Sequence, residues 1–221
     1  MGIYFTDRAG GVSSGKFASL NLGDHVSDLP DAVASNRKSI ADKFGQTQYM
    51  NQVHGNRVAI IEEVTDEIPT ADALVTGIPG ITLAVMVADC IPLLLTSKNS
   101  VAAVHVGRKG LVNRVAEKAI DVMREISNAK ISATIGPAIC GACYEVSPEI
   151  YDEVTQSHPD NAARTKADTP SLDLVKALIT DLAAMGIEKI HNQSRCTHED
   201  DRLYSYRRDG ITGRQAGLVW L

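Results

Sequence analysis

The chain has 221 residues, which is long enough to bury a substantial core in one domain and excludes a fibre, a disordered tail or a disulfide-stapled miniprotein. Apolar residues make up 44% and charged residues 22%, without any block of like charges, as in an ordinary soluble protein. The 22 Lys and Arg against 27 Asp and Glu give a net charge of −5, which disfavours nonspecific binding to nucleic acid and favours a small partner.

No part of the sequence predicts a membrane span or an export signal. The longest uncharged stretch, residues 73–88, is interrupted by Gly77, Pro79 and Gly80, and it falls short of the roughly 20 apolar residues that a spanning helix needs. The first residues lack the basic start and apolar run of a secretory signal, so we expect a cytoplasmic protein. Its four cysteines are then expected to be thiols or metal ligands before disulfides.

Helical periodicity and helix-end residues predict the helices of the chain. Pro30 suits a first helical turn, and Gly45 suits the left-handed exit of the same helix. The predicted helices are Pro30–Phe44, Leu111–Ile126 and Ser171–Met185, the last with Ser171 as its cap, and a shorter one at Glu149–Gln156.

Runs of β-branched residues lie between these helices and predict strands. They are Arg57–Ile61, Thr82–Val87, Ile91–Thr96, Val101–Val106, Lys130–Ile135, Glu188–His191 and Gly217–Trp220, after a short first strand at Ile3–Phe5. The four residues 97–100 between two of the runs suit a hairpin, so part of the sheet should be antiparallel. We predict a mixed α/β (α+β) fold, built as a single layered domain over residues 1–221.

Three residues with metal-binding side chains stand where predicted strands end. His54 precedes Gly55, Cys90 follows an apolar run, and His105 interrupts another. Each one alone is explained as a hydrogen-bonded core histidine or a small buried thiol. Together, two imidazoles and a thiolate make a three-ligand site for zinc, with copper as the second choice, that keeps a fourth position open.

Cys140 and Cys143 form a second cysteine motif, near a loop at Gly136-Pro137. Two interpretations stay open. They are a redox pair, or they join Cys196 and His198 in a structural zinc site.

Basic pairs supply candidates for an anionic co-substrate. Arg207 and Arg208 follow Tyr204 and Tyr206 in the tail, and two guanidinium groups can hold a phosphate or carboxylate in a bidentate way. Arg108 and Lys109 stand at the expected start of a helix, where backbone amides also favour anions. The alternative is that both pairs are solvated surface residues.

At these residues the chain resembles a known family. Its motifs occur in order as Ser19-Leu20-Asn21-Leu22-Gly23, Asn36-Arg37, Gln52-Val53-His54-Gly55, Ala71-Asp72-Ala73-Leu74-Val75-Thr76, Ala88-Asp89-Cys90-Ile91-Pro92, Ile135-Gly136-Pro137, Cys143-Tyr144-Glu145-Val146 and Ser205-Tyr206-Arg207-Arg208-Asp209-Gly210. On this combination the chain is identified as a member of the laccase-domain family, labelled both multicopper polyphenol oxidase and purine nucleoside phosphorylase.

The resemblance implies mixed sheets sandwiched between helices and a metal held by His54, Cys90 and His105. It also implies phosphorolysis of adenosine, inosine or methylthioadenosine, and hydrolytic deamination of adenosine. Arg208 falls on a position important for activity in relatives. The resemblance further implies a role in editing cell-wall peptide precursors.

The mechanism expected from this resemblance divides the work between a metal and basic residues. Zinc would lower the pKa of a bound water toward about 7 and supply a nucleophile for deamination, with Asp89 or Glu145 as general acid or base. Arg208 would hold the phosphate for phosphorolysis. Arg37, Lys109 and Arg207 are the expected substrate-binding helpers.

One segment departs from the family pattern. The usual His-Ala-Gly-Trp-Arg-Gly segment reads His105-Val106-Gly107-Arg108-Lys109-Gly110 here. Arg108 therefore replaces an aromatic side chain, and Lys109 replaces a bidentate guanidinium donor. We therefore expect a changed substrate preference.

Three other functions stay open. Cys90 paired with a histidine could serve as the nucleophile of an amidase or hydrolase acting on peptidoglycan precursors. A copper-dependent polyphenol oxidase is third, although six histidines are few for a multicopper cluster. The last is a non-catalytic binding protein.

Overall fold

The chain forms twelve strands and six α-helices, and the computed structural model describes all of residues 1–221. The strands are β1 Gly2–Phe5, β2 Thr47–Gln48, β3 Val58–Ile60, β4 Ala73–Thr76, β5 Thr82–Val87, β6 Ile91–Thr96, β7 Val101–Val106, β8 Ser132–Ile135, β9 Ala162–Arg164, β10 Pro170–Leu172, β11 Lys189–Asn192 and β12 Gln215–Trp220. The helices are α1 Pro30–Phe44, α2 Arg108–Val112, α3 Val115–Ile126, α4 Pro148–Ser157, α5 Leu174–Ala184 and α6 Tyr206–Asp209.

The strands form two larger sheets and one small one. The six-stranded sheet has the order β11-β8-β6-β7-β4-β3, the four-stranded sheet has the order β1-β12-β5-β2, and β10 pairs with β9. The hairpin of β6 and β7 is antiparallel, as predicted, while β11–β8, β3–β4 and β2–β5 are parallel pairs. The prediction of mixed sheets is therefore confirmed.

The two larger sheets pack against each other and lie between two layers of helices, and alternate side chains along a strand face opposite cores. In β7, Ala102 and Val104 join the core that packs against α3 and α5, whereas Val101 and Ala103 join the core shared with the four-stranded sheet. The other face of the four-stranded sheet packs through Met86 and its neighbours on α1. Because a slip of one residue would invert this alternation, the apolar pattern fixes the register.

Several boundaries differ from the sequence predictions for local reasons. The predicted helix 111–126 is two helices, since Arg114 adopts a left-handed conformation with φ 61° and separates α2 from α3. Ser171 lies in β10 and is not a helix cap, because Asp173 caps α5 by accepting the amide N–H of Lys176. The buried strand β4 was not predicted. No helix has the length and apolar character needed to cross a membrane.

Candidate metal centre and substrate cavity

Three polar side chains meet at one end of the six-stranded sheet. Cys90 directly precedes β6, His105 is the penultimate residue of β7 and lies opposite Pro92, and Asp72 directly precedes β4. The backbone N–H of His105 donates to the carbonyl of Asp72 at 2.8 Å, which continues the pairing of β4 and β7. Rigid strand ends thus place all three side chains at the same rim.

His54 reaches this rim from a loop that Asp72 organises. The fully buried carboxylate of Asp72 accepts the backbone N–H groups of Val53, His54 and Gly55 at 3.3, 2.9 and 2.7 Å. His54 itself has φ 58°, in the left-handed region that side chains seldom adopt. The three hydrogen bonds to one carboxylate hold the loop in that conformation.

The metal-binding atoms of His54, Cys90 and His105 lie within 4.8 Å of one another. The Cys90 sulfur is 3.8 Å from Nε2 of His54, and Nδ1 of His105 donates to Asp72 at 2.8 Å, which leaves Nε2 of His105 free to bind a metal. A carboxylate that orients a ligand histidine is typical of zinc sites. The structure therefore brings together the three residues selected from the sequence.

The donor set and its surroundings fit a metal ion. A thiolate with two imidazoles suits zinc or copper and suits calcium or magnesium poorly. A Cβ at Gly107 would lie 2.9 Å from the Cys90 sulfur and 3.0 Å from Cδ2 of His54, so only glycine allows both side chains their positions.

Charge interactions within the cluster shift two pKa values. Burial alone would raise the pKa of Cys90, but the neighbouring imidazoles of His105 and His54 lower it to about 6. Burial alone would lower the pKa of His105, but the Cys90 thiolate and the Asp72 carboxylate raise it to about 9. The protein thus favours the thiolate form of Cys90, which is the form that binds metals.

The cluster opens on a cavity of about 310 Å³. The lining residues are His25, Gln52, His54, Met86, Val87, Ala88, Asp89, Cys90, His105, Tyr144, Tyr206, Arg207 and Arg214. A larger cavity of about 640 Å³ lies elsewhere, against α3 and α5, and contains none of these residues. The combination of metal ligands, guanidinium groups and tyrosines makes the smaller cavity the candidate active site.

Asp89 positions one of the two arginines in the cavity. Its Oδ2 accepts the backbone N–H of Arg207 at 2.7 Å, and its Oδ1 accepts the hydroxyl of Thr197 at 2.6 Å. The Arg207 guanidinium donates to the carbonyl of Glu145 at 2.7 Å and lies 5.1 Å from the ring centre of Tyr144. Both Asp89 oxygens are engaged, and Glu145 is not among the lining residues, so neither carboxylate is placed as a free acid or base.

The other basic residues selected from the sequence do not line the cavity. Arg208 donates to the carbonyls of Thr197 and Leu203, each at 2.8 Å, and pairs with the carboxylate of Asp209. Its guanidinium therefore ties together segments of the tail.

Arg37 and the Arg108–Lys109 pair also lie outside the cavity lining. Arg37 donates to the Leu22 carbonyl at 2.9 Å and pairs with Asp24 at 3.1 Å. Arg108 begins α2, and Lys109 follows it as an exposed residue.

Several lining residues had no assigned role in the sequence analysis. Among them are His25, Gln52, Met86, Tyr144 and Arg214. Gln52 exchanges two hydrogen bonds with the backbone of Met86 at 2.7 and 2.8 Å, which fixes its loop to β5. Arg214 precedes β12 and donates to the carbonyls of Thr212 and Gly213, both at 3.0 Å. The only sign in the sequence that Arg214 belongs to the site was its position just before a predicted apolar strand.

Comparison with known proteins gives matches along almost the whole chain. Residues 2–221 match the family described as multi-copper polyphenol oxidoreductase laccase. A purine nucleoside phosphorylase of Corynebacterium glutamicum is 45% identical over 228 residues, covering 98% of this chain and 93% of the relative. A purine nucleoside phosphorylase of Mycobacterium bovis is 42% identical over 225 residues, covering 98% and 90%. The crystal structure of a Neisseria meningitidis protein of the DUF152 family has a TM-score of 0.90 at 35% identity, covering 99% and 93%.

Proposed function

The chain belongs to the multi-copper polyphenol oxidoreductase laccase family, and on that premise we propose that it is a purine nucleoside phosphorylase with zinc at His54, Cys90 and His105. The observation that carries this proposal is that these three ligands open on one cavity that also contains two arginines and two tyrosines. Full-length similarity to proteins of that name supports it. The free cysteines fit the cytoplasmic location expected from the sequence.

Tyr144 and Tyr206 provide a surface for the purine. Both line the cavity, and Tyr206 is 60% exposed although it is a large aromatic residue. Stacking of a base on an aromatic ring contributes about 1–3 kcal/mol and accepts any purine. This fits a substrate class of several nucleosides, including adenosine, inosine and methylthioadenosine.

Arg207 and Arg214 are placed to hold the phosphate. In phosphorolysis a phosphate oxygen forms a bond to ribose C1′ while the bond from C1′ to the purine nitrogen breaks, and its electron pair leaves with the base. Positive charge develops on the sugar as the bond breaks, so a phosphate held beside it stabilises the transition state. Fixed guanidinium groups in such a cavity contribute several kcal/mol. We assign this role to Arg207 and Arg214 in place of Arg208, since Arg207 and Arg214 line the cavity and Arg208 does not.

The ligand set also supports the deamination of adenosine. When bound, zinc supplies a Lewis acid and a water molecule of lowered pKa, which is the chemistry that replacement of an amino group needs. Asp72 orients His105 and holds the His54 loop, so it acts as a positioning residue for the site. Copper fits the same donors and would replace zinc without changing the ligands.

The experiment is a comparison of phosphate-dependent and phosphate-independent turnover in the purified protein. We expect inosine with phosphate to give hypoxanthine and ribose 1-phosphate, and adenosine without phosphate to give inosine. Cys90→Ser should lose both activities together with its metal. A metal-loaded wild-type protein that releases no base from any of the three nucleosides would contradict the proposal.

A second candidate function rests on the distance of 3.8 Å between the Cys90 sulfur and Nε2 of His54. This pair could serve as the nucleophile and base of an amidase acting on peptidoglycan precursors. Treatment with a chelator distinguishes the phosphorylase from the amidase. Activity that a chelator removes and zinc restores supports the metal enzyme, whereas activity that survives chelation and is lost on alkylation supports the thiol nucleophile.

A further inference from the structure

Three of the four cysteines, Cys140, Cys143 and Cys196, gather away from Cys90 in a second cluster. Their sulfurs and a carboxylate oxygen of Glu199 lie within 4.8 Å of one another. All three are unpaired thiols and none is fully exposed. No residue of this cluster serves in the proposed phosphorylase reaction.

Two turns of the same kind present the four side chains. The carbonyl of Cys140 accepts the backbone N–H groups of residues 143 and 144, both at 3.0 Å. The carbonyl of Cys196 accepts those of residues 199 and 200, at 3.2 and 3.0 Å. Each turn therefore brings a cysteine and the residue three positions later, Cys143 or Glu199, to the same side.

The two turns are joined by backbone pairing. Ala138 donates to the carbonyl of Arg195 at 3.1 Å and accepts the N–H of Thr197 at 3.2 Å. The N–H of Cys140 points at the Cys196 sulfur, 3.5 Å away.

We propose that Cys140, Cys143, Cys196 and Glu199 form a second zinc site with a structural role. Three thiolates select zinc or another soft divalent ion over calcium or magnesium. Ligands on a tetrahedron with metal–sulfur bonds of about 2.3 Å stand roughly 3.8 Å apart. That spacing is within the 4.8 Å limit inside which all four ligand atoms lie. Four protein ligands leave no open position, and this is typical of structural sites.

The fourth ligand differs from the sequence expectation. That expectation paired Cys196 with His198, but the turn brings residue 199 over the sulfurs and His198 is not part of the cluster. Lys166 lies 3.0 Å from Oε1 of Glu199 and offsets part of the negative charge of the ligands.

The site would join two segments next to the substrate cavity, one that supplies the lining residue Tyr144 and one that contacts the lining residue Asp89. Cys143 precedes Tyr144, which lines the cavity. Cys196 precedes Thr197, whose hydroxyl binds Asp89, the residue that positions Arg207. Loss of the zinc should therefore weaken substrate binding more than it slows the chemical step.

Metal content separates this site from the one at Cys90. We expect two zinc ions in each wild-type chain, one in Cys90→Ser, one in Cys143→Ser and none in the double variant, measured by elemental analysis. Because Cys90→Ser removes the proposed catalytic metal, zinc in that variant reports on the second cluster alone. Failure of the proposed function would leave the zinc count of the Cys90→Ser variant unchanged.

Spectroscopy keeps the proposal testable if Cys143→Ser does not fold. Cobalt added to the Cys90→Ser protein should give strong near-ultraviolet bands from thiolate-to-cobalt charge transfer. Glu199→Gln should weaken cobalt binding about tenfold or more, whereas Glu188→Gln, an exposed glutamate that also pairs with a lysine, should not change it. A Cys90→Ser protein without bound zinc or thiolate bands, or with a Cys140–Cys143 disulfide in its place, would overturn the proposal.

Discussion

Oδ1 of Asp72 accepts two hydrogen bonds, one from Nδ1 of His105 at 2.8 Å and one from the backbone N–H of His54 at 2.9 Å. One buried side chain thus positions both imidazoles of the proposed metal site. Because burial of an unpaired carboxylate is costly, these hydrogen bonds also keep Asp72 charged, and they hold its pKa below its usual value against the effect of burial.

Asp72→Asn should weaken zinc binding about 10- to 100-fold, because the amide loses the charge and its NH2 group cannot accept at one of the two positions that face N–H groups. Competition with a chromogenic chelator measures this affinity. Asp152→Asn, at an exposed helical position, is the control and should bind zinc as the wild type does. Equal affinity in both variants would remove Asp72 from the site.

Gly107→Ala should reduce both metal content and turnover, since the added Cβ would lie 2.9 Å from the Cys90 sulfur. Gly186→Ala is a matched control. At Gly186 the Cβ meets no atom within 4 Å but the φ is 77°, so that variant should lose about 1 kcal/mol of unfolding free energy and keep its metal. Elemental analysis and denaturant unfolding separate the two effects, and full occupancy in Gly107→Ala would show that the ligand positions are not constrained as described.

Arg207→Ala should raise the KM for phosphate about tenfold or more while leaving deamination of adenosine nearly unchanged, because Arg207 lines the cavity and the deamination uses no phosphate. Steady-state kinetics with varied phosphate measures this effect. Equal losses in the two reactions would reject a phosphate-binding role.

Arg208→Ala should mainly reduce stability, by about 1–3 kcal/mol, because it leaves the carbonyls of Thr197 and Leu203 without their donor. Denaturant unfolding provides the measurement. A selective rise in the KM for phosphate, at unchanged stability, would instead support the role that the family resemblance gave to Arg208.

Asp24→Asn tests the interpretation of Arg37 as a structural residue. The hydrogen bond from His25 and, against burial, the charge of Arg37 lower the pKa of Asp24 to about 2. Since the folded-state pKa lies below the unfolded value of 3.8, the stabilisation is present above about pH 4 and is lost as the pH falls through the folded-state pKa of about 2. The variant should be less stable by roughly 0.2–1 kcal/mol at pH 7, and this difference should shrink steadily between pH 4 and pH 2, as measured by denaturant unfolding. A stability difference that stays constant from pH 7 to pH 2 would contradict this explanation.

Strand ends are where the sequence was most informative about the site. His54, Cys90 and His105 were selected as residues at strand ends. The bounds of β5, β6 and β7 agree with the predictions, so this was right for Cys90 and His105, whereas His54 lies in a loop. Asp72 was not assigned a role, because an acid between two alanines gives no sign that it accepts three backbone amides. Tertiary contacts, and not local pattern, determine that function.

Residues whose role depends on turn geometry could not be assigned from the sequence. Arg114 ends a helix through a left-handed conformation that an arginine does not signal, so α2 and α3 were predicted as one. In the same way, the turn after Cys196 decides between His198 and Glu199, and only coordinates show which one meets the thiols.

The most direct measurement for the proposed active site is anomalous X-ray diffraction at the zinc absorption edge from crystals of the purified protein. We predict a peak within bonding distance of His54 Nε2, the Cys90 sulfur and His105 Nε2, facing the cavity that contains Arg207 and Arg214. An active, zinc-loaded crystal with no peak between those three atoms would contradict the account.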